Sequence, residues 1–272
     1  MINYLEKFRL DGKTAFVFGG LGLIGREVST AFALAGAKTI ILDIEKKKRD
    51  VLIEQLSELG LKVSFRNFDC SDMNNLESNF FDLVDKFGSP DVFINCSYPK
   101  TDDWGQSSFK EVKLKSFRKN IDIHLNSYAW LARLAAEAIK ESDRGGSIIQ
   151  LGSIYGILGQ DLTIYEDTNM SENMTYSAIK GGITNLTRQM ASYYGEFNIR
   201  INTIVPGGLL GHVAGKSQTQ NPNFLKRYSQ KVPMKRLGRA EEIAPTALFL
   251  ASDASSYISG SKIVVDGGWS IV

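Results

Sequence analysis

The chain has 272 residues, of which 43% are hydrophobic and 23% are charged, as in an ordinary soluble globular protein with a sizeable core. Its net charge of +2 argues against a dedicated nucleic-acid-binding or membrane-surface protein. We see no signal peptide and no run near the roughly 20 apolar residues of a membrane span. The two cysteines, Cys70 and Cys96, do not make a disulfide framework, so we expect a reduced cytoplasmic setting.

Short apolar runs alternate with longer amphipathic runs along the chain. The apolar runs predict strands at 14–18, 38–42, 63–68, 91–95, 147–151, 199–205 and 263–265. The intervening runs predict helices at 24–35, 46–59, 74–87, 117–141 and 176–194. This alternation predicts an α/β fold, a Rossmann-type doubly wound parallel sheet of about seven strands with helices on both faces. No linker or repeat marks a second domain, so we expect a single domain over residues 1–272.

A glycine-rich loop, Phe18-Gly19-Gly20-Leu21-Gly22-Leu23-Ile24-Gly25, lies between the first predicted strand and the first helix. Glycines at such a place allow a tight turn and a close approach of the backbone to a pyrophosphate. The start of the helix adds free N–H groups for the phosphates. The loop therefore predicts dinucleotide binding through Gly19, Gly22, Leu23, Ile24 and Gly25.

Polar residues end the next three predicted strands. Asp43, 18 residues after Gly25, is placed to accept hydrogen bonds from the adenosine ribose and would repel a 2′-phosphate, which favours NAD over NADP. The basic run 46–49 is evidence in the other direction, although we interpret it as a solvated helix start. Asp69, with Cys70 beside it, is a candidate for the adenine edge, and Asn95 for the loop beside the nicotinamide ribose.

Tyr176 and Lys180 are four residues apart and therefore lie one turn apart on one face of a helix. An ammonium group so close should lower the pKa of the phenol from about 10 towards neutrality. A phenol with that pKa can exchange protons with an alcohol or a ketone. The spacing is common by chance, so its meaning depends on a cofactor site beside it.

With the glycine loop, Asp43, Asn95, Ser153 and Tyr176…Lys180 in this order, the chain resembles the short-chain dehydrogenase/reductase family from about residue 10 to residue 272. The later motifs that agree are Ile199-Arg200-Ile201-Asn202, Pro206-Gly207, Arg236-Leu237-Gly238, Glu241-Glu242-Ile243 and Asp266-Gly267-Gly268.

The resemblance implies a role for each matching residue. Ser153 would hydrogen-bond the reacting oxygen, Tyr176 would act as general acid/base, and Lys180 would bind the nicotinamide ribose and lower the pKa of Tyr176. Pro206 and Gly207 would join the cofactor site. The family also implies a homodimer or homotetramer.

The chain departs from the family pattern at several positions. Phe18 replaces the usual threonine, and the glycine spacing is nearer to that of the sugar-nucleotide branch. The Asn-Asn-Ala-Gly motif reads Asn95-Cys96-Ser97-Tyr98. The helix asparagine of the catalytic tetrad aligns with His124, which either holds a proton-relay water or is a packed core histidine; Asn126 would point elsewhere on a helix.

Ser153 and Tyr176 are 23 residues apart, more than the family usually has, and the extra residues fall in the insertion 159–174. The insertion should lie over the substrate side, and it resembles those of family members among bacterial surface-sugar and flagellin-glycosylation enzymes. The substrate lid is expected at about 207–236. No acidic residue lies between Glu196 and Glu241, whereas eight lysines and arginines do. A basic lid would attract an anionic sugar-like substrate; the alternative is a solvated flap or a subunit contact.

The sequence thus predicts an NAD(H)-dependent oxidoreductase that interconverts a secondary alcohol and a ketone in a small-molecule substrate. A sugar-nucleotide epimerase or dehydratase and a non-catalytic dinucleotide-binding protein are the alternatives. The two histidines, His124 and His212, lack metal-ligand spacing, so we expect no metal site. Ser153 has no histidine partner in a nucleophile-elbow context, which argues against acyl transfer.

Overall fold

The structure is a computed structural model that describes residues 3–44, 47–211 and 220–272. Its seven strands form one parallel sheet in the order β3-β2-β1-β4-β5-β6-β7. The strands are β1 (Thr14–Phe18), β2 (Lys38–Asp43), β3 (Val63–Asn67), β4 (Val92–Asn95), β5 (Gly146–Leu151), β6 (Ile199–Pro206) and β7 (Lys262–Val265). The described helices are α1 (Leu23–Leu34), α2 (Lys47–Glu58), α3 (Leu76–Phe87), α4 (Leu114–Asn120), α5 (Ser127–Ser142), α6 (Met174–Tyr194), α7 (Pro222–Lys231) and α8 (Ala244–Ala251).

The sheet has a hydrophobic core on each face because side chains alternate along every strand. Phe16 and Phe18 of β1 pack with α3 and α5, whereas Ala15 and Val17 pack with α1 and α8. The predicted doubly wound parallel sheet with helices on both faces is therefore confirmed.

The strand order reverses between β1 and β4. Phe18, the last residue of β1, pairs with Leu42 of β2 on one side and with Asn95 of β4 on the other. In doubly wound sheets ligands bind at the carboxyl ends of the strands where the order reverses. The fold thus places the glycine loop, Asp43 and Asn95 around one crevice.

The helix predicted over 117–141 differs from the observed one. It runs from residue 114 to residue 142 and is interrupted by a π-helical segment, Ile121–Asn126, which carries His124. A π turn holds an extra residue and is frequent at functional sites. Two further helices, α7 and α8, had no predicted counterpart; α8 has apolar residues on nearly every face, so it lacks the periodicity that reveals a helix.

No helix among the described residues is long and apolar enough to cross a membrane. Within the same ranges, no group of histidine, cysteine and acidic side chains could hold a metal ion.

Candidate active site

A cleft of about 410 Å³ opens at the carboxyl ends of the central strands. Most of the site residues predicted from the sequence line it. Those that do are Gly19, Gly22, Leu23, Ile24, Asp43, Asp69, Cys70, Ser153, Tyr176, Lys180, Pro206 and Gly207. Three predicted residues, Gly25, Asn95 and His124, lie behind its surface.

The glycine loop leaves no space for side chains where it turns. Gly19 has a φ of +66°, and a Cβ there would lie 2.5 Å from the backbone N of Ser97. A Cβ on Gly25 would collide with the carbonyl oxygen of Gly19, so helix α1 packs directly against the turn. Helix α1 starts at Leu23 without a side-chain cap. The loop therefore has the shape and the helix N-terminus that a pyrophosphate needs.

The strand-end carboxylates are held by backbone groups. Asp43 accepts a hydrogen bond at Oδ2 from the Leu21 N–H at 2.9 Å, which ties the glycine loop to β2. Asp69 accepts hydrogen bonds from the N–H and the hydroxyl of Ser71, at 2.8 and 2.6 Å. Burial raises the pKa of the Cys70 thiol to about 12, so this side chain lines the cleft as a neutral group. Lys46 and the side chains of the three basic residues after it lie outside the described part of the chain.

Asn95 is buried behind the cleft, at the end of β4. Its Oδ1 accepts hydrogen bonds from the N–H of Ser97 at 3.0 Å and from the Ser97 hydroxyl at 2.7 Å. Its buried Nδ2 has no hydrogen-bond partner among the described residues. Asn95 thus holds Ser97 in place, and Ser97 lines the cleft together with Cys96, Tyr98 and Pro99.

Ser153, Tyr176 and Lys180 meet in the middle of the cleft. Ser153 follows β5 and is 6% exposed, and its hydroxyl is near enough to Tyr176 to act on the pKa of the phenol. Asn173 caps helix α6 by accepting a hydrogen bond from the Tyr176 N–H at 2.7 Å, which fixes the start of the helix. Lys180 is buried and donates a hydrogen bond from Nζ to the Leu151 carbonyl at 2.8 Å. A proton donor, a hydroxyl and an amine therefore share one partly enclosed site.

The electrostatics of this group differ from the sequence prediction. Burial raises the pKa of Tyr176, and the nearby Ser153 hydroxyl opposes this rise only in part. Burial also lowers the pKa of the Lys180 amine to about 7. The amine lies 5.7 Å from the centre of the Tyr176 ring. The pKa of Tyr176 in the protein alone is therefore shifted in the direction opposite to the predicted one, because burial of the phenol has the largest effect on it.

His124 is fully buried among aromatic rings. Its ring centre lies 5.1 Å from that of Tyr98, 5.3 Å from that of Tyr128 and 6.4 Å from that of Trp104. Neither ring nitrogen has a hydrogen-bond partner among the described residues. Burial and the nearby Lys180 charge both lower the pKa of His124, so the imidazole is neutral. The imidazole packs against Tyr98 and Tyr128, whose rings lie near the Lys180 amine, and it does not line the cleft.

Tyr98 is a wall residue that sequence reasoning did not assign. Its ring lines the cleft, 6.0 Å from the Tyr176 ring and 5.8 Å from the Trp104 ring, between centres. Burial raises its pKa, so the hydroxyl stays protonated. The signal was present in the sequence as the replacement of the last glycine of the Asn-Asn-Ala-Gly motif.

Four cations of the basic stretch between Glu196 and Glu241 have carboxylate partners. Arg227 pairs with Glu166 at 3.2 Å and with Asp167, and Lys231 pairs with Asp161. Arg236 and Arg239 pair with Glu242 and Glu241. Lys216 lies outside the described residues. Neither a free basic lid nor a solvated flap describes Arg227 and Lys231, because their carboxylate partners come from the insertion 159–174.

Known proteins resemble this chain over nearly its whole length. The family model described as enoyl-(acyl carrier protein) reductase matches residues 22–270. The chain is 30% identical over 264 residues to the 7alpha-hydroxysteroid dehydrogenase of Escherichia coli, which covers 97% of this chain and 96% of that protein. It is 29% identical over 263 residues to the post-translational flagellin modification protein A of Campylobacter coli, which covers 96% of this chain and 100% of that protein. Among solved structures, a putative gluconate dehydrogenase from Agrobacterium tumefaciens has a TM-score of 0.86 and 27% identity, with 98% of this chain and 99% of that chain covered.

The chain belongs to the short-chain dehydrogenase/reductase family. It is an oxidoreductase that acts on CH–OH groups, and its family binds a nicotinamide dinucleotide. The resemblance predicted from the sequence is confirmed.

Proposed function

We propose that the protein is a single-domain NAD(H)-dependent enzyme that interconverts a secondary alcohol and a ketone. One observation carries this proposal: Ser153, Tyr176 and Lys180 meet in the same cleft as the glycine loop. When bound, the nicotinamide group supplies or accepts the hydride. The protein must then bind the reacting oxygen and transfer the proton.

Ser153 would hydrogen-bond the reacting oxygen of the substrate, and Tyr176 would move the proton. In oxidation the phenolate takes the hydroxyl proton, and in reduction the neutral phenol donates a proton to the ketone oxygen. Because burial raises the pKa of Tyr176, the protein alone holds the phenol in the form that reduction needs. Lys180 would bind the nicotinamide ribose. We also propose that His124 positions the aromatic rings around Lys180. A His124→Asn variant with an unchanged KM and an unchanged pH profile of activity would contradict this role.

The residues along the cleft fit a dinucleotide. The turn at Gly19 and the start of α1 suit the pyrophosphate, with Gly25 needed for the packing of the helix. Asp69 and Cys70 would hold the adenine edge, and Pro206 and Gly207 the nicotinamide end. The carboxylate of Asp43 supports NAD over NADP, because it would repel a 2′-phosphate.

The substrate we propose is a sugar or a sugar derivative. The chain resembles a flagellin modification protein and a putative gluconate dehydrogenase, and its substrate side offers aromatic and polar groups. The sequence hypothesis of an anionic substrate loses support, because Arg227 and Lys231 are paired with insertion carboxylates. Recognition of the substrate by Tyr98 and by hydroxyl or amide groups fits the site better than recognition of a negative charge by Arg227 and Lys231.

The alternatives have less support. The relatives described above include a hydroxysteroid dehydrogenase and a putative gluconate dehydrogenase, which supports a dehydrogenase over a sugar-nucleotide epimerase or dehydratase. A non-catalytic binding protein would not need an intact set of Ser153, Tyr176 and Lys180. We further propose a cytoplasmic homodimer or homotetramer, with light scattering as the test of assembly.

A spectrophotometric screen tests the proposal. Sugars and sugar alcohols are offered with NAD⁺ or NADP⁺, and formation of the reduced nicotinamide is followed by its absorbance. Replacement Tyr176→Phe should reduce turnover by about 100-fold or more while NADH affinity, measured by fluorescence titration, stays within about twofold. Turnover that survives in this variant would overturn the mechanism, and turnover with no net reduced nicotinamide would favour the epimerase.

A further inference from the structure

The insertion 159–174 closes on itself at the start of the catalytic helix. Gln160 donates from Nε2 to the Asn173 carbonyl and to the Ser177 hydroxyl, both at 3.0 Å. Its Oε1 accepts hydrogen bonds from the Asn173 N–H at 3.2 Å and from the Tyr165 hydroxyl at 3.0 Å. Since Asn173 caps the helix that carries Tyr176, the base of the insertion is attached to the catalytic helix.

The inner side of the insertion packs against helix α7. Ile164 is fully buried in a small hydrophobic cluster that also contains Tyr228 of α7. Tyr165 stacks on Phe224 of α7, with 6.2 Å between ring centres and 11° between planes. This cluster is separate from the two cores of the sheet and includes Ile154, the residue after Ser153.

Helix α7 is also attached to the wall of the cleft. The Tyr228 hydroxyl accepts a hydrogen bond from the Gly208 N–H at 2.6 Å, one residue beyond the cleft-lining Gly207. The Tyr228 ring stacks on Trp269 at 4.3 Å between centres. Helix α7 therefore lies beside the nicotinamide end of the cleft, over the substrate side.

The outer side of the same contact is ionic. Arg227 pairs with Glu166 and Asp167, Lys231 pairs with Asp161, and Asn223 donates from Nδ2 to the Asp167 carbonyl at 3.0 Å. Helix α7 has basic but no acidic residues, whereas the described insertion has acidic but no basic ones. Charges of opposite sign therefore meet at these ion pairs. Lys226 of the same helix is exposed and forms no ion pair with any residue in the described ranges.

We propose that the insertion positions α7 over the substrate side before substrate binds, with Arg227 and Lys231 as positioning residues that bind the insertion instead of the substrate. The identification of this side as the substrate side rests on the proposed function. A single exposed ion pair changes an equilibrium by only a small factor. Here several pairs join the same two elements, so their effects on the position of α7 combine.

Hydrogen–deuterium exchange of α7 tests the proposal without a substrate. In Arg227→Gln/Lys231→Gln, backbone amides of residues 225–232 should exchange about three- to tenfold faster than in the unchanged protein, because α7 detaches more often. The matched control Lys226→Gln removes an unpaired charge from the same helix and should leave this exchange unchanged. Equal exchange in the double variant and in the control would overturn the proposal.

Two further measurements separate an ionic contact from general damage. Raising the salt concentration to about 1 M should speed exchange of α7 in the unchanged protein, but not in the double variant, because salt screens the pairs. Asp161→Asn keeps the acceptor that caps the Leu162–Tyr165 turn, and its effect should not add to that of Lys231→Gln. Additive effects, or exchange that does not respond to salt, would count against direct pairing.

Activity gives an independent readout. If α7 is only positioned by these residues, the double variant should raise KM about three- to tenfold and leave kcat within about twofold for the best substrate of the screen. If substitution of Arg227 or Lys231 raised KM strongly while hydrogen–deuterium exchange of α7 stayed unchanged, these residues would bind the substrate instead. If the unchanged protein oxidised no alcohol, the proposed function would fail while the exchange result would still decide the role of the insertion.

Discussion

The proposed cofactor half and the proposed substrate half of the cleft are formed by different parts of the structure. The cofactor half consists of strand ends and a backbone turn, in which Gly19 and Gly25 leave no space for a Cβ. The proposed substrate half is bounded by side chains from segments distant in the sequence: Tyr98 lines the cleft, and the insertion and α7 pack on each other next to it. The first half depends on backbone shape, and the second on contacts between side chains. Substitutions should therefore act differently in the two halves.

The strongest contrast should come from adding one methyl group to a glycine in each half. Gly25→Ala places a Cβ against the Gly19 carbonyl and should lower the free energy of unfolding by about 2–3 kcal/mol, with much weaker NADH binding. Gly159→Ala, in the insertion, has no atom within 4 Å of the new Cβ and should change stability by less than about 0.5 kcal/mol. Urea unfolding and NADH titration measure both effects. Equal effects would show that the two halves do not differ in this way.

A smaller effect is expected from Lys180, which lies between the halves. Burial lowers its pKa from 10.5 to about 7, so between these pH values the unfolded chain holds a proton that the folded protein lacks. Stability contributed by this group therefore rises with pH, by about 2 kcal/mol from pH 7 to pH 9. Lys180→Met should remove this part of the pH dependence, as measured by urea unfolding at both pH values. Identical pH slopes in the two proteins would contradict the assigned burial effect.

The smallest predicted effect is a change in the preference between NAD and NADP, which tests the role of Asp43 in the cofactor half. Asp43→Asn keeps an acceptor for the Leu21 N–H but removes the charge, so the preference for NAD over NADP should fall by about tenfold. Asp69→Asn is the matched control at the next strand end and should leave the preference unchanged. The ratio of kcat/KM for the two cofactors gives the answer. A preference that Asp43→Asn does not alter would mean that another group reads the ribose.

The same contrast explains what could be predicted from the sequence. The strand–loop–helix pattern and the residues at the strand ends are local, and the structure brings Gly19, Asp43 and Asp69 to one cleft as expected. The π-helical segment was missed because a single extra residue in a helix does not alter hydrophobic periodicity enough to be seen. The pairing of Asp161 with Lys231, 70 residues apart, has no local signature. From the sequence alone, the predicted lid is a stretch of positive charge without acidic neighbours. The carboxylate partners of Arg227 and Lys231 come close only when the chain folds.

The closure of the insertion by Gln160 has a consequence for how such an enzyme can change its substrate. Gln160 and Asn173 are joined by two hydrogen bonds, so the two ends of the segment between them lie close together. The entropy of closing a loop depends only weakly on its length. The segment 161–172 can therefore be exchanged for one of another length or sequence while Ser153 and Tyr176 keep their places. On the proposed function, this segment can then change in evolution without moving the residues that carry out the reaction.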